Sequence, residues 1–424
     1  MNKAQAKRTK YTCYFTSFAM ASVFGLPPIL FSVFQSAYNI SYTLLGTLVL
    51  INFCTQLGVD LIFSFFSKYF NIHKTIRIMP FITAIGLCVY AIIPSIFPNQ
   101  AYVGLVIGTI VFSLAAGLNE VLTSPLIAAL PSDTPDKDMS ALHSIYGYGL
   151  TSVVVLSTLF IKFVGKDYWN YLTLLWAILP IIAWVMLMKC KLPEMSIGQV
   201  EKGREKSRYR TVGLALCVIC IFLGACAENT MSNWISAFAE KALNIPKMYG
   251  DVFGMALFAV LLALTRTAYA KFGKNIFSVI AWSMFGSVLC YILAAVSPNA
   301  VVSLIACVAL GICTSMLWPG TLILMEEKIP RVGVAAYALM AAGGDFGASF
   351  APQLFGIIID NVAVTDWAIT MSNTFAITPE QVGFKVGILV VTIFPILGLV
   401  VLAIMKKHFN KENKKSMLDG KALG

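Results

Sequence analysis

The sequence predicts an all-α polytopic membrane protein, with twelve transmembrane helices arranged as two six-helix halves. Three observations carry that prediction. Of 424 residues, 58% are hydrophobic and only 12% charged, and the mean hydropathy is +0.80; soluble domains run roughly 45–50% apolar and about 25% charged. The apolar residues fall into runs long enough to cross a bilayer, whose core of about 30 Å needs roughly 20 residues of helix. The basic residues behind the net charge of +11 lie in short clusters between those runs, a pattern of membrane topology and not of nucleic-acid binding. A water-soluble enzyme is excluded on composition alone.

The runs occupy 11–34, 42–66, 76–97, 101–130, 141–164, 169–189, 211–238, 249–270, 275–296, 300–325, 332–360 and 383–405. The fourth and eleventh are long enough to tilt. Helices are expected because an open strand edge cannot be satisfied in lipid. Ala19-Met20-Ala21 resembles a small-residue cleavage site, but the apolar run continues to Phe34, longer than the core of a signal peptide.

Of 31 Lys and Arg, 25 gather on one side of these spans: Lys3 to Lys10, Lys68 to Arg77, Lys137, Lys189 to Arg210, Lys271, Lys274, Lys328, Arg331 and the tail after 405. Positive charge marks the cytoplasmic side. Both termini are therefore expected in the cytoplasm of a multi-pass protein of the cell (inner) membrane, which requires an even number of spans. The charged loop 190–210 divides the chain into an N-terminal half, 1–189, and a C-terminal half, 211–405, with a tail at 406–424.

Short segments recur in order in the two halves: Ala37-Tyr-Asn-Ile as Ala242-Leu-Asn-Ile, Ser67-Lys-Tyr-Phe as Ala270-Lys-Phe-Gly, and Pro98-Asn99 as Pro298-Asn299. A parallel repeat of six helices is a transporter layout, with the substrate between the halves near the midplane.

Ionisable residues inside spans are costly and face cavities, partners or ions. Five qualify: Asp60, Glu120, Glu228, Arg266 and Asp345. Spans three, six and nine carry none. Asn52, Gln56 and Asp60 follow one helix face at i, i+4, i+8, and read either as cavity lining or as an interhelical hydrogen-bond ladder. Asn119 and Glu120 stand before Pro125; a carboxyl group here can load and release a proton, or simply pack. Glu228, Asn229, Asn233 and Trp234 fall within two turns. Amides and an indole suit a polyhydroxylated ligand, with Trp318 as a second aromatic wall, although Trp234 can equally anchor at the interface.

His143 and Tyr146 open the fifth span, where His143 can relay protons or bond the preceding loop. Arg266 and Asp345 are expected to pair as a structural or gating contact, with Gly343-Gly344 allowing close approach. Pro27-Pro28, Pro125 and Pro319 interrupt spans, the last two at corresponding places in the halves. Ten cysteines, including the Cys217/Cys220 pair, read as small buried side chains. The three histidines form no ligand set, so no metal, cofactor or catalytic centre is expected.

Glu120-Val-Leu-Thr-Ser-Pro125, Ser140-Ala-Leu-His143-Ser-Ile-Tyr146, Ala227-Glu228-Asn-Thr-Met-Ser-Asn233-Trp234 and Gly343-Gly-Asp345-Phe-Gly-Ala-Ser-Phe-Ala-Pro352 resemble the bacterial fucose permease-like branch of the major facilitator superfamily. The resemblance runs over both halves. It implies a proton-linked monosaccharide symporter, with the fourth-span glutamate, here Glu120, in proton coupling. The chain departs from that type in having no acidic residue between Tyr11 and Phe34, which leaves Asp60 as a candidate for part of that role. The cytoplasmic loop motif is degenerate too: Ser64 to His73 lacks its acid.

The expectation is a secondary transporter, a proton-coupled importer of a monosaccharide or similar polyhydroxylated molecule; the alternative is an exporter of drugs or amphiphilic compounds. Coupling carboxylates would be Glu120, Asp60 and Glu228, with the proton, or sodium, as coupling ion. Substrate contacts would come from Asn52, Gln56, Asn119, His143, Tyr146, Asn229, Asn233, Trp234 and Trp318. Arg266, Asp345, Pro125 and Pro319 would be structural or gating. The partners are a small-molecule substrate and the lipid bilayer, for a chain acting as a monomer.

Overall fold

The computed structural model describes residues 1–66, 69–133, 135–193, 208–329 and 334–421, so most of the linker at 190–210 lies outside the described residues. Among those described there is helix and no strand, and twelve helical runs are long and apolar enough to cross a membrane. The first half holds α1 (Lys3–Tyr38), α2 (Tyr42–Phe66), α3 (Ile72–Ile96), α4 (Ala101–Ala128), α5 (Pro135–Phe163) and α6 (Trp169–Met188). The second holds α7 (Arg208–Ala237), α8 (Leu257–Phe272), α9 (Ile276–Val296), α10 (Ala300–Thr314), α11 (Leu317–Lys328), α12 (Val334–Ala363), α13 (Asp366–Phe375), α14 (Pro379–Val391) and α15 (Ile393–Lys421). Helices α10 and α11 form span ten, α12 is span eleven, and α14 with α15 forms span twelve. Around the turn into span eight the helix widens to π geometry, over Phe238–Ala242 and Gly250–Ala256.

The helix ends obey local chemistry. Asn2 and Gln5 form a capping box on α1, Thr378 and Gln381 another on α14, and Asn71 and Asn299 cap α3 and α10. The repeated Asn-Ile pairs are structurally equivalent: Asn39, past α1, and Asn244, past the π turn after α7, both adopt φ near +50° (50° and 52°). Asparagine tolerates that left-handed region. Of the three recurring segments, this one marks a left-handed turn in each half.

The termini share one end of the bundle, and the opposite, distal end is sealed by contacts between halves. Asp360, at the end of α12, accepts from the first backbone N–H groups of α2, Tyr42 at 3.2 Å and Thr43 at 2.6 Å. An anion from one half thus caps the positive end of a helix in the other. The Tyr42 hydroxyl donates to Glu380 of α14, and Lys241 donates to Gln35 at 2.9 Å. Gly356 permits this closeness, because a Cβ there would fall on the Tyr42 carbonyl.

A cap is worth about 1 kcal/mol, a factor of about five in an equilibrium. Asp360→Ala is therefore expected to raise distal opening about fivefold, read as faster labelling of an Asn233→Cys variant by a membrane-impermeant thiol reagent from that side.

At the terminal end, outside the membrane spans, Asp138 anchors α5 to α1. Its carboxylate accepts from Lys10 at 2.9 Å and Ser132 at 2.6 Å, and its carbonyl from the Tyr14 hydroxyl at 3.0 Å. Ser132 and Lys10 hold this carboxyl below its usual value. A depressed folded value contributes stability above the unfolded value of about 3.9, and that stability is lost as pH falls through the folded value. Asp138→Asn should lower the melting temperature at neutral pH, and the gap from wild type should close in acid.

Candidate functional site

Between the halves, the ionisable residues of five spans converge. Glu120 sits deep in α4 yet is exposed. It lies within electrostatic range of Asp60 on α2, Asp345 on α12 and Tyr146 on α5. Its exposure is therefore to a central cavity and not to lipid. No hydrogen bond ties it among the described residues.

The expected Arg266–Asp345 pair does not form. Instead Arg266 meets Glu228, its terminal nitrogen 3.0 and 3.2 Å from the two carboxylate oxygens. The reason lies in span ten. Proline has no N–H, so Pro319 leaves the carbonyl four residues back, that of Ser315, without its helical partner. The Nε of Arg266 donates to that carbonyl at 2.9 Å. One guanidinium thus ties span seven to the break in span ten, where α10 ends at Thr314 and α11 begins at Leu317. Pro125 lies inside α4 near its C-terminal end, and that helix is continuous.

Asp345 turns to the other half. It is 4% exposed, and one of its carboxyl oxygens has no hydrogen-bond partner among the described residues. Beside it the Trp318 ring rests on Gly344, in space a Cβ would fill. Trp318 is half-buried at the cavity, as is Tyr146, which packs edge-on against Phe24 with centroids 5.7 Å apart.

Amides expected to meet substrate are placed unevenly. Asn52 is buried and accepts from Gln56 at 3.0 Å and Ser113 at 2.6 Å, which is the hydrogen-bond ladder and not an open polar stripe. Asn52 and Asn233 nevertheless edge one small cavity with Pro27, Pro28 and Thr109. Asn119 accepts from Thr123 at 2.7 Å. Asn229 and Asn233 are half-buried, each donating to a carbonyl one turn back on α7. The His143 side chain lies outside the described residues.

Trp234 is neither substrate contact nor interfacial anchor in this conformation. It is 1% exposed, packed on Phe31 and Tyr42 of the first half and on Phe355 and Phe384 of the second. Its indole donates to the Pro352 carbonyl at 3.1 Å. It is the centre of the distal seal.

Asp251 was not among the intramembrane acids read from sequence. Fully buried, it accepts from Ser236 of α7, from Thr158 of α5 at 3.1 Å, and from Lys247 at 3.4 Å. Two residues inside the predicted eighth span, an acid has the sequence position of a solvated helix end. The accompanying Lys247 at i, i−4 was the available signal.

The family model of the Major Facilitator Superfamily matches residues 12–352. No curated protein sequence matches the chain significantly. Solved structures share the fold across nearly the whole chain. A D-xylose-proton symporter is 15% identical with a TM-score of 0.71, over 92% of this chain and 96% of its own. The nucleoside transporter NupG is 14% identical with a TM-score of 0.66, over 94% and 98%. The fucose:proton symporter FucP of E. coli is 14% identical with a TM-score of 0.54, over 92% and 98%.

Proposed function

This chain belongs to the Major Facilitator Superfamily, and on that premise we propose that it imports a monosaccharide or similarly polyhydroxylated small molecule together with a proton, by alternating access. The observation that carries this reading is Glu120: a carboxyl group exposed in the cavity between the halves, bonded to nothing among the described residues. The cavity's guanidinium, Arg266, is held by Glu228 and Ser315 and is not free to neutralise it. A group so placed can take a proton from one side and deliver it to the other as the halves rock.

The hydroxyl-rich substrate class is supported by the half-buried amides of Asn229 and Asn233 and the half-buried ring of Trp318, and by Asn52 and Asn233 on one small cavity. The symporters for D-xylose and fucose, which share the fold, are consistent with it. With the basic clusters in the cytoplasm, the sealed distal end faces outward and Glu120 meets the inner solution.

The test is uptake of a labelled monosaccharide and nucleoside panel into proteoliposomes, with an inward proton gradient imposed or collapsed. Accumulation of one solute only under the gradient is expected. Accumulation under a sodium gradient alone, or of no polyhydroxylated solute under either, would overturn the reading.

A further inference from the structure

Proline has no N–H, so two adjacent prolines inside a helix free two consecutive carbonyls. In α1 the pair is Pro27-Pro28. The Val23 carbonyl loses its helical partner at Pro27, and the Phe24 carbonyl loses its own at Pro28. Phe24 cannot fall back on a tighter turn either, because the residue three places on is Pro27. Buried carbonyls without partners are costly, and inside a membrane they turn to a side chain, to water or to a ligand.

A helical carbonyl points along the axis toward the residue four places on. Val23, Phe24, Pro27 and Pro28 all line the small cavity between the halves, so each freed oxygen lies between two lining residues. Thr109 of α4 faces the same space. Thr47, Thr83, Thr151 and Thr158 each return their hydroxyl to the carbonyl one turn back. Thr109, only 2% exposed, makes no such bond among the described residues and borders the cavity instead. Asn233 commits its Nδ2 to the Asn229 carbonyl, which leaves Oδ1 to the cavity. Asn52 Oδ1 is taken by Gln56 and Ser113, which leaves Nδ2.

Backbone and amide acceptors thus meet a hydroxyl and an amide donor, with no charged residue in the lining. A carboxylate would be repelled by the carbonyls, and an ammonium group would find no anion. A neutral hydroxyl, which both donates and accepts, satisfies the set. The free space of about 10 Å³ holds about one group of that size.

We propose that this cavity is the hydroxyl-reading end of the substrate site: one hydroxyl of the solute donates to a carbonyl freed by Pro27-Pro28 and accepts from Thr109. The inference rests on the import of a polyhydroxylated solute argued above, and it names the groups that recognise the hydroxyl. Phe31 lines the same cavity and packs on Trp234, so the bound hydroxyl would lie directly beneath the distal seal.

Two variants test the subsite in proteoliposomes, with a monosaccharide that wild type accumulates and its monodeoxy analogues. Thr109→Val keeps the side-chain shape and removes the hydroxyl. Pro28→Ala returns an N–H to the Phe24 carbonyl and makes α1 more regular, so its melting temperature should not fall. Each variant should raise the KM for the sugar about tenfold. In wild type, the analogue lacking the bound hydroxyl should lose at least as much, and Thr109→Val should raise its KM no further. Losses that coincide instead of adding mark one shared hydrogen bond, whereas a purely structural change would weaken every analogue alike. An unchanged KM in either variant, or losses that add for every analogue, would overturn the subsite and leave the import reading standing. A panel in which no polyhydroxylated solute accumulates would overturn both.

Discussion

Glu120→Gln is expected to abolish gradient-driven accumulation while sparing exchange of labelled for unlabelled substrate across the membrane. Glutamine keeps the size and hydrogen-bonding reach of a protonated glutamate but cannot release a proton. A gradient of one pH unit is worth about 1.4 kcal/mol per proton, enough for about tenfold accumulation with one-to-one coupling. Wild-type vesicles should therefore concentrate the solute about tenfold under that gradient, and the variant should only equilibrate it. Counterflow needs the halves to rock with substrate bound and requires no change in protonation, so it should persist near the wild-type rate. Accumulation retained in Glu120→Gln would remove the residue from the coupling path. Loss of both activities would instead assign it to substrate binding or to the rocking motion itself.

Much of the architecture was legible because membrane burial writes directly into sequence. Apolar runs gave the spans and the charged loop 190–210 the two halves, while the recurring Asn-Ile pairs are seen as left-handed turns at Asn39 and Asn244. Pro319 marked the break in span ten, which the structure places between Thr314 and Leu317. What sequence could not supply was the partner of each buried charge. Arg266 reaches Glu228 because Pro319 exposes a carbonyl that positions the guanidinium, and that requires three helices in register. Asp345 lies toward the acids of the first half because α12 packs along α2 as well as α7. Asp251 and Asp360 escaped notice because an acid at a span boundary reads as solvated, although one is fully buried and the other caps a helix of the opposite half. Trp234 misled for the converse reason: an indole among amides suggests a ligand wall, and only packing reveals that four rings cover it.

The Arg266–Glu228 pair should show the largest effect on stability. Removing one member of a buried pair leaves an uncompensated charge and costs about 3–5 kcal/mol. Here the guanidinium side chain is 39% exposed and that of Glu228 is 14% exposed, so the cost belongs at the lower end of that range. Arg266→Leu should nonetheless be the worse of the two single changes, because it strands both the Glu228 carboxylate and the Ser315 carbonyl beside Pro319. Glu228→Leu leaves Arg266 its backbone acceptor and access to the cavity. The double change Arg266→Leu with Glu228→Leu removes both charges, and should recover part of the loss while still leaving Ser315 unsatisfied. Melting temperatures of the four proteins in one detergent would establish the order: wild type highest, then the double variant and Glu228→Leu, with Arg266→Leu lowest. Equal effects of the two single changes would mean that the pair alone matters. A double variant as stable as wild type would show that the bond to the Ser315 carbonyl contributes nothing, and that the break in span ten needs no side chain to hold it.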